Sequence, residues 1–300
     1  MRYWAWVWLL VALGCSADDF VPSDQRRADR YAYSLEGSAG EVSIIDPGVI
    51  RVASSLSHAH LDVILRRYLT PEGNDYGAMA ADREARQLLT DYKQILAEAR
   101  PESMATAQER LAFWLNAYTA LVVEGILDLA SPEGAPIDVS TGDFELFTQV
   151  THRVAGFTLT LEEIEHLVLR GDPTYPDVID VPSAVSGPLL QQHALLYADG
   201  RLDPRVNFAV SFGSFGFPPM PQQAYRADTL EARLESRTQA FVNDPNAGVS
   251  PNGISVLFEW FARDFALAAG SVEAFIARYY DGPPGQIDTR RSLRFSWTVR

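Results

Sequence analysis

The sequence predicts an α+β fold, a mainly helical single domain with a small antiparallel sheet. Two patterns point there: apolar residues recur at helical spacing from Ser57 onward, and the few alternating stretches arrive without a strand–helix–strand rhythm. Composition agrees. The 300 residues are 47% hydrophobic and 21% charged, which is globular rather than disordered and long enough to bury a sizeable core.

Residues 1–14 read MRYWAWVWLLVALG, one basic residue and then an apolar run from Tyr3 to Leu13. That run falls short of the about 20 helical residues a bilayer core demands, so it reads as a secretory signal peptide rather than a span. Its end, Val11-Ala12-Leu13-Gly14-Cys15, resembles a bacterial lipobox, with Ala12 where the pattern usually carries Leu. The resemblance implies cleavage before Cys15, lipid attachment there as the contact with a membrane and, from Ser16 after it, sorting to the outer membrane facing the periplasm. Ordinary cleavage after the small residues Ala12 and Gly14 is the alternative, and it leaves a soluble periplasmic protein. Residues 15–56 then form a lipidated, acidic tether broken by Pro22, Gly37, Gly40, Pro47 and Gly48, with one short strand expected at Val42 to Ile45. The single domain is expected over residues 57–300.

Within it, Leu61, Ile64, Leu65 and Tyr68 share one face of a first helix. A second runs from about Ala81 to Ala99, turning Leu88, Leu89, Tyr92, Ile95 and Leu96 inward, and Pro101 stops it. The third opens on a capping box, Thr106-x-x-Glu109, and is apolar nearly all round, the mark of a buried central helix. Phe147 to Leu159 reads as a hairpin turning at Ala155-Gly156, and Thr160-x-x-Glu163 caps a further helix ending at Gly171. Arg205 to Phe212 reads as a buried strand, Asp228 to Val242 and Val256 to Ala269 as helices, and Ser271 as the cap of a short last helix. Leu293 to Val299 alternates apolar and polar residues and reads as a half-buried strand.

Charge and motif content exclude several classes. With 25 basic against 39 acidic residues, the net charge of −14 repels phosphate backbones and no basic patch offsets it, so nucleic acid is not an expected partner. One cysteine excludes an internal disulfide and a Cys-rich zinc site. No P-loop, G-x-G-x-x-G, G-x-S-x-G or H-E-x-x-H occurs, and no cofactor is expected. Among the five histidines, His58 and His60 share a face only on a strand, whereas the pattern there is helical. Glu162 and His166, four apart on one helix face, make a two-ligand clamp; two ligands are too few, and no metal is expected.

Three segments carry a family resemblance: FWLNAYTALVVEGIL from Phe113, VAGFTLTLEEIEHLVLR from Val154, and DPRVNFAVSFGSFGFPPMPQQAY from Asp203. Together with the last helices and the closing RFSWTVR they resemble the domain-of-unknown-function 547 family, in order, over about Ser57 to Val299. Cysteine and histidine in that family imply thiol hydrolysis, and this chain departs there. The family's Asn-Cys-Gly-x-x-Ser-Cys-Pro-Pro stands here as Ser211-Phe212-Gly213-Ser214-Phe215-Gly216-Phe217-Pro218-Pro219, so both cysteine positions are Phe. Its Asp-Pro-Arg-x-His ends here in Asn207, and its Asn-Ala-Tyr-Asn ends in Thr119. Asn116, Glu165, His166, Arg170, Asp203 and Arg205 are retained.

Phe has no lone pair and cannot replace a thiolate. The candidate cleft is therefore Asn116, Glu165, His166, Arg170, Asp203, Arg205, Asn207, Ser211 and Ser214. Either serine, with His166 as base and Glu165 or Asn116 orienting it, would make a triad; the preferred reading is that the serines only satisfy loop backbone groups. Asn116, mid-helix among apolar residues, pins a neighbouring loop or points into a pocket, and Arg170 pairs with a carboxylate such as Asp203. The aromatic–proline run from Phe212 to Pro219 packs in the core or lines an apolar groove. The expectation is a non-catalytic, lipid-anchored envelope protein that binds a small ligand or an envelope protein at the former cleft. A Ser-His hydrolase or acyl-transfer enzyme and a purely structural lipoprotein are the alternatives.

Overall fold

The computed structural model describes residues 56–70, 73–130, 135–197 and 199–299. The signal peptide, Cys15, the tether up to residue 55 and the strand expected at Val42 to Ile45 lie outside the described residues. The chain divides into two units, 1–50 and 51–300, and every described residue belongs to the second.

Local sequence rules build most of the helices. Helix α1 (Ala59–Tyr68) buries Leu61, Ile64, Leu65 and Tyr68, the predicted face. A short antiparallel pair follows it, β1 (Leu69–Thr70) with β2 (Gly73–Asn74). A short helix α2 (Tyr76–Ala81), not foreseen from the sequence, is capped by Asp75, whose carboxylate accepts the Ala78 amide at 2.8 Å. Helix α3 (Arg83–Glu98) buries Leu89, Tyr92 and Leu96, while Leu88 and Ile95 are only half-buried at the edge of the same face. Pro101 begins a single 3-10 turn and so ends the run.

Helix α4 (Ala107–Leu129) is the centre of the domain. Its capping box closes in both directions, with Thr106 Oγ1 accepting the Glu109 amide and Glu109 accepting the Thr106 amide at 3.1 and 3.2 Å. From Leu111 to Leu127 every residue except Glu124 is buried. Among the described residues α4 is the one helix long and apolar enough to cross a membrane, and 89% of its apolar window lies inside the fold, so it is a core helix. Against it pack α2, α3 and the helix that begins after Thr160.

Strands β3 (His152–Val154) and β4 (Phe157–Leu159) form the predicted hairpin in register His152 to Leu159 and Val154 to Phe157. The turn residues Ala155 and Gly156 both take positive φ, 53° and 81°, as a two-residue hairpin requires. Their amides donate to the carbonyls of Leu96 and Ala97 at 2.8 and 3.1 Å, which caps the open C-terminal end of α3. A third antiparallel pair, β5 (Val249–Ser250) with β6 (Gly253–Ile254), completes the ladders among the described residues.

Elsewhere the structure corrects the sequence reading. The stretch from Thr160 opens on its capping box but winds as a π-helix over Glu163–Leu169, closed by the Arg170 amide donating to Glu165 O at 2.9 Å. Arg205 to Phe212 is not a strand. Asp203 accepts the Arg205 amide on its side chain and the Val206 amide on its carbonyl, and Pro204 presets the backbone, so a four-residue helix α7 (Val206–Ala209) forms after α6 (Ser183–Ala194), another helix not foreseen. After α8 (Leu230–Val242), the predicted helix from Val256 breaks at Phe261 (φ −108°, ψ 23°) into α9 (Leu257–Trp260) and α10 (Ala262–Ala269). Ser271 caps α11 (Val272–Tyr279) by accepting the Ala274 amide at 3.1 Å. The C-terminal segment is half-buried as expected, but it joins Asp138 and Ser214 through single bridging pairs rather than a ladder. Helix α5 (Thr141–Thr148), also not foreseen, contains three consecutive left-handed residues, Gly142, Asp143 and Phe144, and the Phe144 ring meets Trp297 edge-on at 4.7 Å.

Candidate functional site

The π-helix carries the chemistry. Its wide turn buries Glu165 and His166, with Glu162 just before it and Arg170 just after. His166 stacks on the ring of Tyr175 at 3.7 Å, and its Nδ1 lies 2.5 Å from Nη1 of Arg170. Arg170 Nε donates to Asp264 Oδ2 at 2.7 Å, and Asn207 Nδ2 donates to the same oxygen at 3.1 Å. The guanidinium also faces the rings of Phe261 and Tyr175 at 4.3 and 4.8 Å and approaches Asp172 at 3.7 Å, which Arg263 meets at 3.2 Å. Arg170 and Asp264 are almost wholly buried, an arrangement that stands only because each charge finds the other.

Chemistry assigns the histidine's proton. A guanidinium has donors and no acceptor, so Nδ1 of His166 must accept and the ring proton sits on Nε2. Nε2 in turn lies 2.6 Å from Oε2 of Glu162, off the line of a hydrogen bond, and that buried oxygen has no hydrogen-bond donor. Burial disfavours charge on both: Glu162 is raised to about 8, by burial first and then by the charge of Asp177, and His166 is lowered to about 4 by burial. Glu165, raised by burial, accepts the Tyr118 hydroxyl at 2.7 Å.

The cluster thus unites Glu165, His166, Arg170 and Asn207 of the predicted cleft, and the others are engaged elsewhere. Arg170 pairs with Asp264, not with Asp203 as expected; Asp203 is held by Arg205, which also reaches Glu231 and Glu235 on the exposed face of α8 at 2.7 and 2.9 Å. Asn116 grips the loop at Tyr225 through both halves of its amide. Ser211 donates to the Pro218 carbonyl at 2.5 Å and accepts the Gly213 amide at 3.1 Å, the backbone-satisfying role. Ser214 is fully buried and bridges to Val299. Neither ring nitrogen of His166 faces a serine; one meets Arg170 and the other Glu162.

Both family cysteine positions lie in an aromatic stack. Phe212 and Phe217 lie face to face at 4.0 Å, Phe147 covers the other face of Phe212 at 4.1 Å, and Trp260, Phe295 and Trp297 surround Phe217. The stretch packs in the core; Phe215 is its exposed phenylalanine.

Three site residues escaped the sequence reading: Tyr175, Asp177 and Asp264. Asp264 left a signal. It occupies a buried slot beside Leu257, Phe261 and Phe265, where the apolar spacing calls for a hydrophobe. Tyr175 and Asp177 lie in a loop with no periodicity to read.

Residues 101–242 match the family model described as "Protein of unknown function, DUF547", a segment running from the 3-10 turn before α4 to the end of α8. No curated protein and no solved structure matches the chain.

Proposed function

From a chain whose residues 101–242 belong to the DUF547 family, we propose a cell-envelope protein, anchored by lipid on Cys15 to the outer membrane and facing the periplasm, that binds a ligand or partner and carries out no thiol chemistry. The observation that supports the loss of catalysis is the pair Phe212 and Phe217. Both positions at which the family resemblance calls for a cysteine hold rings, stacked at 4.0 Å inside a wall of other rings, leaving no nucleophile and no space for a substrate carbonyl between them. The serine alternative has less support, since the Ser211 hydroxyl is engaged by Pro218 and His166 already accepts from Arg170. The acidic, helical domain with a retained buried polar cluster fits a binding role better than a purely structural one, because a cluster of buried charges is costly to keep unless its arrangement is used.

The test takes the full chain in a Gram-negative host. Radioactive fatty acid should label the wild type and send it into the detergent phase, while Cys15→Ser should accumulate as unlabelled precursor. Equal partitioning of both into water removes the anchor. A hydrolase screen on the same protein should find no turnover and no effect of iodoacetamide. Turnover lost in both His166→Ala and the pair Ser211→Ala with Ser214→Ala would overturn the non-catalytic reading.

A further inference from the structure

Beside the Arg170–Asp264 pair lies an arrangement that neither the anchor nor the loss of thiols explains. Glu162, His166 and Asp177 each turn one ligand atom inward, and the three atoms lie within 4.8 Å of one another. We propose that Glu162, His166 and Asp177 bind a divalent transition cation of the zinc class, through two carboxylate oxygens and one imidazole nitrogen, with water at the remaining position. The assignment stands apart from the function proposed above and survives its failure.

The donor set selects the cation class. Imidazole favours zinc-like ions over magnesium and calcium, and two carboxylates supply the charge to hold a dication. Three protein ligands leave the fourth tetrahedral position open, the pattern of sites that present a bound water. Metal bonds of about 2.0–2.1 Å to N and O set tetrahedral ligand atoms about 3.3 Å apart. The 2.6 Å approach of Nε2 to Oε2 is shorter than that, and the outer limit of 4.8 Å is longer, so small side-chain movements bring the three into register.

A second, independent observation points to a ligand. Oε2 of Glu162 is buried and has no hydrogen-bond donor, although the side chain around it is 9% exposed. Buried carboxylate oxygens without a donor are rare in folded proteins, and a cation is one group that satisfies them. The imidazole is already oriented for coordination. Tyr175 stacks on its face at 3.7 Å, so the plane in which Nε2 points is set before a metal arrives.

Binding must displace the Nε2 proton. The Nε2–H bond breaks as the N–metal bond forms and that proton leaves to water, while Nδ1 takes up a proton from water, so the ring stays a neutral imidazole. Arg170 Nη1 then withdraws from Nδ1 while its Nε keeps Asp264, and the Glu162 carboxyl proton leaves to water as well. Asp177 makes the route. It is exposed, on the 3-10 turn Pro176–Val178, so a cation reaches the site from solvent through one movable carboxylate. A two-residue clamp on the helix becomes a three-ligand site only when this turn folds over it, held by Asp172 accepting from the Thr174 amide and hydroxyl at 3.1 and 2.6 Å.

The experiment titrates the full chain, stripped with chelator and checked by circular dichroism, with Co2+ as a visible probe and Zn2+ by calorimetry. Expected is one Co2+ per chain with tetrahedral d–d absorption, displacement by Zn2+, and no comparable binding of Mg2+. Asp177→Asn, an exposed change that leaves the core intact, should weaken Zn2+ by about tenfold or more, and Glu162→Gln should remove the Co2+ spectrum. Asp180→Asn, on the same loop, should bind as wild type does. Absence of binding to the wild type at millimolar Co2+ and Zn2+ overturns the proposal. So does undiminished binding in folded Asp177→Asn and Glu162→Gln, which would place the metal elsewhere on the chain.

Discussion

Asn116 and Tyr225, 109 residues apart, exchange two hydrogen bonds: Nδ2 donates to the Tyr225 carbonyl at 2.8 Å, and the Tyr225 amide donates to Oδ1 at 2.7 Å. The side-chain amide stands in for a strand, pairing a loop to the face of the central helix where no strand exists. Tyr225 in turn sends its hydroxyl to Ala209 O at 2.9 Å, so one asparagine ties α4 to the loop and, through it, to α7.

Asn116→Leu keeps the size and leaves a buried N–H and a buried C=O unpaired. Each unmet group costs about 1–3 kcal/mol, so a loss of about 2–6 kcal/mol is expected from chemical denaturation. A midpoint unchanged from wild type would mean that the loop pairs elsewhere.

The Arg170–Asp264 pair predicts strong coupling. Either Arg170→Met or Asp264→Asn alone strands a buried charge or its partner and should destabilise by about 3–5 kcal/mol. The double variant should cost less than the sum, since neither charge then remains. Additive losses in the double-mutant cycle would show that the two side chains act independently.

Restoring a cysteine should not restore reactivity. At Phe212 or Phe217 a thiol sits behind Phe147 and Trp297, where burial raises its pKa and blocks alkylators. Native Phe217→Cys should resist iodoacetamide until denaturant is added, and lose about 3–5 kcal/mol from the cavity left behind. Rapid labelling of the native variant would place that position on an open cleft.

His58 predicts a pH dependence. Burial first, and the Arg226 charge second, lower it to about 4, and its Nδ1 meets the Tyr92 hydroxyl at 2.6 Å. The unfolded chain takes up a proton as pH falls through about 6.5 and the folded chain does not until about 4, so stability declines across that window and levels below it. His152 and His193, also lowered by burial, add to the same slope. Urea midpoints measured between pH 7 and pH 5.5 should fall less steeply in His58→Gln; identical slopes would mean that this ring is protonated in the fold.

Much of this fold is written within a few residues of linear sequence. The buried faces of α1, α3 and α4, the boxes Thr106 with Glu109 and Thr160 with Glu163, the Ala155-Gly156 turn and the Ser271 cap all depend on spacings of one to four positions, and all are legible without a structure. The resemblance that the family model matches over residues 101–242 is legible too, because its segments are long and ordered, and the missing cysteines follow from reading two positions. The partners of the buried polar groups are set by packing instead. Arg170 has Asp203 within easy sequence reach and pairs with Asp264, because α10 delivers a carboxylate into the same buried space while Arg205 keeps Asp203 at the surface. Packing also makes Phe212 stack rather than join a strand, and it brings Asp177, eleven residues from His166, to complete a triad. Local rules act through covalent neighbours and the short hydrogen bonds of a helical turn, so they survive in the linear order. The pairing of a buried charge is set by which opposite charge the packed elements bring within about 3 Å, and that distance exists only once the apolar faces have been buried.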